Sequence, residues 1–360
     1  MLGYCIFMAG SGTRAPDFAA GLRDLATADT VPMFRYRVYG ISLSSDVALP
    51  ELTRIEGPGF DREPDLFVTL NASPSATDGL AWSMLYEAGD GSIWTLWAKD
   101  ERGYFLRFPR IADFRVSGAG DRIECIGRAA ATSSETLRHL LIDQILPAVL
   151  SLRGSAAIHA TAVVTPHGLC AFTAPSGAGK STLAASFLLA GCPGFGDDCL
   201  ALKEIDDRIA GAPAYPGVRL WGDSLSSLIS GGLADGGGRL SRVAHYTSKQ
   251  RAFDRESAAR FPAAPQPLTA IYRLMRGPAA GRNGNPDAPE IEPLSTRDAL
   301  IELVNATYRL DLLDRDRLTG EFRFLERVAL RVPMRRLRIP DDFAALPAVH
   351  AAILSDLASL

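Results

Sequence analysis

The residues from Ala174 to Ser181 have the types and spacing of a loop that binds phosphate groups. Gly177 and Gly179 let the backbone curl tightly, so that several N–H groups can point at one phosphate chain. Lys180 is expected to contact the β- and γ-phosphates, and the Ser181 hydroxyl is expected to bind Mg²⁺. The predicted nucleotide-binding residues are Ala174, Pro175, Ser176, Gly177, Ala178, Gly179, Lys180, Ser181 and Thr182.

One position departs from the phosphate-loop pattern G-x-x-x-x-G-K-[ST], because Ala174 stands in place of the first glycine. Alanine is small, so the departure is mild. An apolar strand is predicted before the loop, over Leu169 to Thr173, and a helix is predicted after it, which is the context that the motif requires. A chance turn rich in glycine and serine is the alternative. The sequence favours a site for ATP and Mg²⁺.

Asp197 and Asp198 follow the loop at a spacing that lets them lie beside it. A helix from Lys180 to Ala190 carries the chain about 17 Å away, at 1.5 Å per residue. About seven extended residues, from Gly191 to Asp198, return roughly 23 Å. Both carboxylates are predicted to be catalytic: one completes the Mg²⁺ shell, with Asp197 the candidate metal ligand, and Asp197 or Asp198 accepts the proton of an attacking hydroxyl. A surface turn is the alternative, although the pair lies in an apolar stretch that resembles a strand.

His159 lies on a strand predicted to pair with the strand that enters the loop. Ala156 to Val164 and Gly168 to Thr173 form the predicted hairpin, with Pro166 and His167 at the centre of its turn. In this register the residue numbers of two paired residues add up to 333, so His159 is predicted to lie opposite Ala174. A catalytic and a structural histidine both remain open, because a slip of one residue turns the ring to the other face.

The elements around these residues indicate two domains in a chain of 360 residues. Residues 1–32 carry little pattern, and we expect a leader that is poorly ordered or that precedes the native start. Short aromatic-rich strands, beginning with Phe34 to Leu43, predict a mostly antiparallel β domain over residues 33–130, a candidate for substrate recognition. Residues 131–360 form the predicted nucleotide-binding domain.

The second predicted domain opens with a helix. Thr132 and Glu135 form a candidate capping box, and leucine, isoleucine and valine residues then recur at helical spacing. Pro147 is expected to kink the helix, and Gly154 to end it. Beyond it come the hairpin, the loop, the helix after the loop and an extended segment from Phe195 to Leu202, in the order strand, loop, helix, strand.

Composition narrows the classes of partner. With 47% hydrophobic and 22% charged residues, the chain is expected to fold around a buried core. Its formal net charge of -3 argues against a duplex nucleic acid partner. The five cysteines are scattered, which argues against disulfides or structural zinc and fits a reducing cytoplasm. No apolar run is long enough for a membrane span, so no membrane partner is expected, and a homo-oligomer is compatible with the sequence.

These residues resemble the HPr kinase/phosphorylase family. The matching features are Ile158-His159-Ala160 before a hairpin, Pro175 to Thr182, and Asp197-Asp198 at the family's spacing from the lysine, within about Ser155 to Leu202. The resemblance implies an α/β fold, α+β overall, with a P-loop kinase domain of the HPr kinase/phosphoenolpyruvate carboxykinase type after a mostly antiparallel β domain. It also implies catalytic roles for Lys180, Ser181, Asp197, Asp198 and His159, with an aspartate taking the proton from a serine.

The resemblance weakens beyond that stretch. The family's catalytic arginine has no clear counterpart, and Arg219, Lys249 and Arg251 are candidates. The opening of the first domain, Tyr36 to Asp46 and then Leu49 to Leu52, is similar to HPr-kinase-related proteins of lasso-peptide and related peptide-modification systems, which phosphorylate a serine of a precursor peptide.

The leading prediction is therefore an ATP- and Mg²⁺-dependent serine kinase acting on a ribosomal precursor peptide or small protein. Three alternatives stay open: an HPr-type protein kinase in carbon regulation, a small-molecule phosphotransferase, and a nucleotide-gated module that binds a peptide without modifying it. The acidic pair argues against the last alternative, because binding alone needs no base.

Overall fold

A computed structural model describes residues 33–56, 62–73, 76–88, 91–228, 240–253, 260–277 and 288–360. The fold is mixed α/β, with two large β-sheets and helices packed on them. The predicted leader, residues 1–32, lies outside the described residues. No helix within the described ranges is both long and apolar enough to cross a membrane.

The first sheet has the strand order β3-β1-β2-β4-β9-β8-β7-β6-β5. Neighbouring strands are antiparallel except for β4, which runs parallel to both β2 and β9. This confirms the mostly antiparallel sheet predicted for the first part of the chain. The strands are β1 (Phe34–Val38), β2 (Ile41–Ser45), β3 (Thr53–Arg54), β4 (Leu66–Thr69), β5 (Ser83–Glu87), β6 (Ile93–Asp100), β7 (Gly103–Phe108), β8 (Ala112–Ser117) and β9 (Arg122–Arg128).

The first predicted strand, Phe34 to Leu43, is instead a hairpin of β1 and β2. Tyr39 and Gly40 form its turn, with φ angles of 53° and 75°. Two consecutive left-handed residues match the right-handed twist of the flanking strands. Tyrosine rarely adopts this conformation, so the turn was not apparent from residue types.

A helical segment joins the two sheets. It consists of α1 (Ser134–Leu140), a π-helical turn (Leu141–Ile145) and α2 (Leu146–Leu152). Ser133 caps it by accepting a hydrogen bond from the Thr136 N–H, where the capping-box pattern predicted Thr132. The apolar side chains of the segment belong to the hydrophobic core of the first sheet. Residues 33–360 form one compact unit, and the division at residue 130 stays a prediction.

The remaining strands build a second sheet and a small third one. The second sheet has the order β10-β14-β15-β19-β12-β11-β13, with β21 beside β19 and β20 beside β21, and the third has the order β16-β18-β17. The strands are β10 (Ala156–Ile158), β11 (Ala160–Thr165), β12 (Gly168–Thr173), β13 (Gly194–Gly196), β14 (Leu200–Ile205), β15 (Arg208–Ala212), β16 (Val218–Leu220), β17 (Ser241–Arg242), β18 (Gln250–Ala252), β19 (Gln266–Arg276), β20 (Glu290–Pro293) and β21 (Met334–Ile339).

Helices cover both faces of the second sheet. Two hydrophobic clusters share its strands: one contains side chains of α3, α4 and α7, and the other those of α5 and α6. Parallel strands β12, β19 and β21 lie between these layers, and β12 is apolar along nearly its whole length, as expected for a strand covered on both faces. The helices are α3 (Lys180–Leu189), α4 (Gly222–Leu228), α5 (Thr296–Ala306), α6 (Arg315–Arg331) and α7 (Leu346–Leu357).

The predicted hairpin before the loop is confirmed in β11 and β12, where Thr165 pairs with Gly168 and Ala160 with Thr173. The predicted strand from Ala156 to Val164, however, is broken at His159. The His159 N–H donates to the Ala306 carbonyl at 2.7 Å, so the chain leaves the edge of β14 at this point and enters the hairpin.

Candidate functional site

The predicted phosphate loop lies between the end of β12 and the start of α3. Gly177 and Gly179 have φ angles of 82° and 100°, a region that side chains rarely adopt. A Cβ on Gly179 would also lie 3.1 Å from Nη2 of Arg276. Ala174, which stands where the motif has its first glycine, does not have a positive φ angle. This position therefore does not need a glycine. The loop therefore accommodates the departure without strain.

The Lys180 side chain folds back along the loop. Its Nζ donates to the Ala174 carbonyl at 2.9 Å and to the Pro175 carbonyl at 3.4 Å. It also donates to Nε2 of His159 at 2.9 Å. Burial lowers the pKa of Lys180, although the nearby Asp198 and Asp197 carboxylates act in the opposite direction. The ammonium group thus lies at the centre of the predicted site.

Asp197 is buried and bonded to the loop. Its Oδ1 accepts from the Ser181 hydroxyl at 2.8 Å and from the Thr161 hydroxyl at 2.7 Å. Its Oδ2 accepts from the Arg219 backbone N–H at 2.8 Å and from Nη1 of that arginine at 3.3 Å. The carboxylate is thereby held beside the first turn of α3, as the return-length argument predicted.

Asp198 interrupts the apolar stretch and lies between two strands. Its φ of 64° separates β13 from β14, so the predicted single strand from Phe195 to Leu202 is wrong. Aspartate tolerates this left-handed conformation better than most residues. The break leaves Oδ2 of Asp198 3.2 Å from Nη1 of Arg219, with the side chain 19% exposed. The carboxylate therefore faces the space in front of the loop.

Charge keeps Asp198 ionised. Burial alone would raise the pKa of its carboxyl, but the positive charges of Arg219, Lys249 and Lys180 hold that pKa well below its usual range. An ionised carboxylate is an acceptor only, and its remaining lone pairs are available to a hydroxyl donor.

His159 lies between Lys180 and Asp198. Because Nε2 accepts from the lysine ammonium, the ring is neutral and Nδ1 carries the proton. Nδ1 lies 2.9 Å from the Tyr308 hydroxyl and 3.1 Å from the Asp198 carbonyl, to which that hydroxyl also donates at 3.0 Å. Burial and the Lys180 charge lower the pKa of His159. The predicted pairing is observed as far as Ala160 and Thr173, one residue short of His159, whose ring contacts Lys180, and Tyr308 had no sequence signal.

Arg219 is one of the three candidates for the family's catalytic arginine. It connects Asp197 and Asp198 to the helical segment between the two sheets. Its side chain is 1% exposed and contacts Asp143, Asp197 and Asp198. Asp143 lies in the π-helical turn and also accepts from His139 and from the Tyr215 hydroxyl. Asp143 was missed from the sequence, although a lone carboxylate among apolar helical residues was an available signal.

The other two candidates, Arg251 and Lys249, lie in different surroundings, and of the two Lys249 lines the loop pocket. Arg251 pairs with Arg219 across β16 and β18, but its guanidinium points to Glu51, 3.6 Å away. Lys249 lies 5.2 Å from the Trp221 ring and lines the pocket in front of the loop. The residues around this loop pocket are Ser176, Gly177, Gly179, Lys180, Ser181, Thr182, Asp198, Arg219, Trp221, Ser224, Lys249 and Arg276.

Sequence comparisons find no match to this chain, and a structural comparison finds a distant one. No protein-family model matches the chain, and no curated protein matches it. Among solved structures, the HPr(Ser) kinase/phosphatase from Coxiella burnetii aligns with a TM-score of 0.30 and 12% sequence identity. That alignment covers 55% of this chain and 91% of the other. A match at this level does not assign an activity.

Proposed function

We propose that the protein is an ATP- and Mg²⁺-dependent kinase that phosphorylates a serine hydroxyl of a peptide or small protein. One observation carries the proposal: Ser181 and Asp197 share a hydrogen bond of 2.8 Å, and the next residue, Asp198, directs its carboxylate into the same pocket. A phosphate site, an oxygen pair for a cation and a candidate base are therefore adjacent.

The loop and α3 would hold the triphosphate. Backbone N–H groups of the loop and the positive end of α3 favour an anion at this position. Lys180, which now bonds the Ala174 and Pro175 carbonyls, would turn to the β- and γ-phosphates. Lys249 and Arg276 line the same pocket and add positive charge. These groups would stabilise the charge that develops on the transferred phosphoryl group.

The Ser181 hydroxyl and the Asp197 carboxylate fit Mg²⁺, because both are hard oxygen donors. In the part of the chain that the structure describes, no group of three or more His, Cys, Asp or Glu side chains surrounds a common point. This fits an ion that takes few protein ligands and keeps water and phosphate oxygens in the rest of its shell. When bound, Mg²⁺ would neutralise charge on the phosphate oxygens.

Asp198 would act on the acceptor. Its carboxylate takes the proton of the serine hydroxyl as the serine oxygen bonds to the γ-phosphorus and the bond to ADP breaks. Arg219 holds one carboxylate oxygen in place at 3.2 Å. His159 binds both Lys180 and the Asp198 backbone, so it couples the phosphate-binding side of the site to the acceptor side.

Phosphate transfer to a peptide library tests the proposal. The wild-type protein would be incubated with Mg²⁺, γ-labelled ATP and peptides that carry a fixed serine, and in parallel with a mixture of hydroxyl metabolites. We expect labelled peptides from the wild type, and a strong decrease for Lys180→Ala and Asp198→Asn. Asp206→Asn is the matched control, because Asp206 is an exposed residue that also has a positive φ, 49°.

The outcomes separate the candidate functions. Absence of labelled peptide with the wild type, or equal transfer by the two variants, contradicts the proposal. Labelling of a metabolite alone supports a small-molecule phosphotransferase. Nucleotide binding without any transfer supports a nucleotide-gated binding module.

A further inference from the structure

A second cavity, of about 870 Å³, lies outside the loop pocket. We call it the arginine pocket. It is bordered by the turn after β2, the start of α1 and the segment that carries β17 and β18, and its volume lies within the range of ligand-binding clefts. The charged or titratable side chains that line it are Glu51, Glu135, Arg138, Arg242, His245 and Arg251.

The charges in this pocket do not cancel. Arg138 and Arg251 share one oxygen of Glu51, at 2.8 Å and 3.6 Å. The exposed Arg242 guanidinium donates to the His245 carbonyl at 3.3 Å. Three arginines therefore face two glutamates, so the pocket suits a ligand with one negative charge. A guanidinium binds a carboxylate well because its N–H groups match the two oxygens.

Two residues that line the pocket each have a buried polar atom without a hydrogen-bond partner. Glu51 Oε2 and Arg251 Nε are buried and have no hydrogen-bond partner. Buried polar atoms are normally paired, and exceptions often mark a functional site.

The arginine pocket is close to the acidic pair. Arg251, in its wall, pairs directly with Arg219 across β16 and β18, and such cross-strand partners lie about 5 Å apart. Arg219 in turn contacts Asp198 at 3.2 Å. The separation between this pocket and Asp198 is therefore comparable to the length of a few extended residues, at about 3.3 Å each.

We propose that the arginine pocket binds the acceptor peptide by a carboxylate side chain located a few residues from the serine. The identity of the occupant rests on the proposed function. A dianionic phosphate fits less well, because Glu51 and Glu135 line the same pocket and would repel the second charge.

Peptide capture without nucleotide tests this proposal. The probes are fixed-serine peptides in which each flanking position is in turn Asp, Glu, Asn, Gln or phosphoserine. Captured peptides are identified by mass spectrometry. We expect the wild type to enrich acidic over amide peptides by about fivefold or more, as charge-assisted contacts are stronger than neutral ones. Arg242→Gln should lose most of this enrichment. Arg297→Gln, an exposed arginine on α5, should retain it.

Equal capture of acidic and amide peptides by the wild type overturns the proposal, and so does unchanged enrichment by Arg242→Gln. Stronger capture of phosphoserine than of glutamate peptides overturns the choice of a carboxylate. The same library with Mg²⁺ and labelled ATP tests the proposed function separately. Acidic enrichment without phosphate transfer contradicts the kinase and leaves a pocket that binds acidic peptides, whereas transfer without acidic enrichment contradicts the pocket assignment alone.

Discussion

Arg219 and Asp143 form an ion pair in which the two side chains are only 1% and 2% exposed. The pair connects the helical segment of the first hydrophobic core to the acidic residues beside the phosphate loop. Burial alone would raise the pKa of Asp143, but the Arg219 and His139 charges lower it overall. The carboxylate is thus a permanent partner for the arginine.

Asp143→Ala should lower the free energy of unfolding by about 3 kcal/mol, the lower end of the cost of breaking a buried ion pair, because Asp197 and Asp198 still contact the Arg219 guanidinium. Urea unfolding monitored by circular dichroism measures this. Glu292→Ala is the control, since Glu292 and Arg336 form a pair with both side chains 42% exposed. Its effect should be within about 1 kcal/mol. Equal effects of the two substitutions would show that the buried pair has no special role in stability.

Asp198→Asn should reduce kcat by about 10²–10⁴-fold, the usual contribution of a positioned base. Asparagine keeps the shape and tolerates the positive φ of this position, so nucleotide affinity should be unchanged. Steady-state phosphate transfer and fluorescent-nucleotide titration measure the two quantities. The Asp206→Asn control should keep full kcat. A kcat within a factor of two or so of wild type in Asp198→Asn would exclude Asp198 as the base.

Ser181→Ala should raise the Mg²⁺ concentration needed for half-maximal activity, because the ion loses one of its two protein oxygens. Activity at a fixed ATP concentration, titrated with MgCl₂, measures the change. Ser359→Ala removes an exposed hydroxyl near the chain end and is the control. The same Mg²⁺ requirement in Ser181→Ala and wild type would argue against the assigned ligand.

Stability should decrease as the pH falls through the ordinary histidine pKa of about 6.5. Burial and the Lys180 charge lower the pKa of His159, and burial lowers the pKa of His350. In this range the unfolded chain binds more protons than the folded chain, so the free energy of unfolding decreases with decreasing pH. Urea unfolding at pH 7.5 and about 5.5 detects the change.

In His159→Gln, the free energy of unfolding should differ less between those two pH values than it does in the wild type. One of the two histidines with a lowered pKa is absent from this variant. His167→Gln changes an exposed turn residue and should keep the wild-type difference. The comparison uses the change in the free energy of unfolding between the two pH values within each protein. A general loss of stability in His159→Gln therefore does not affect it. If the free energy of unfolding changes equally between the two pH values in all three proteins, His159 does not contribute to the pH dependence of stability.

Local patterns were sufficient to predict the centre of the site. The glycines of the loop, the register of β11 and β12, and the chain length between Lys180 and Asp197 each depend on residues near in sequence. Chain geometry limits such segments to few arrangements, and these predictions agree with the structure.

The interruptions at His159 and Asp198 could not be predicted in the same way. Both occur where an apolar run suggests a continuous strand, and both depend on distant partners. His159 leaves the strand because its N–H finds the Ala306 carbonyl. Asp198 adopts a positive φ next to Arg219. Periodicity reports which face is buried, but not which distant group competes for a backbone hydrogen bond.

The π-helical turn has a consequence for how this chain tolerates change in length. A π turn holds one residue more than the α-helix around it, and such turns are frequent at functional sites. Deleting one residue from Leu141–Ile145 would regularise the helix and leave the parts on either side in nearly the same rotation, because the π turn already absorbs the extra residue. Asp143 lies within this turn, so the deletion would change the position of the carboxylate that contacts Arg219.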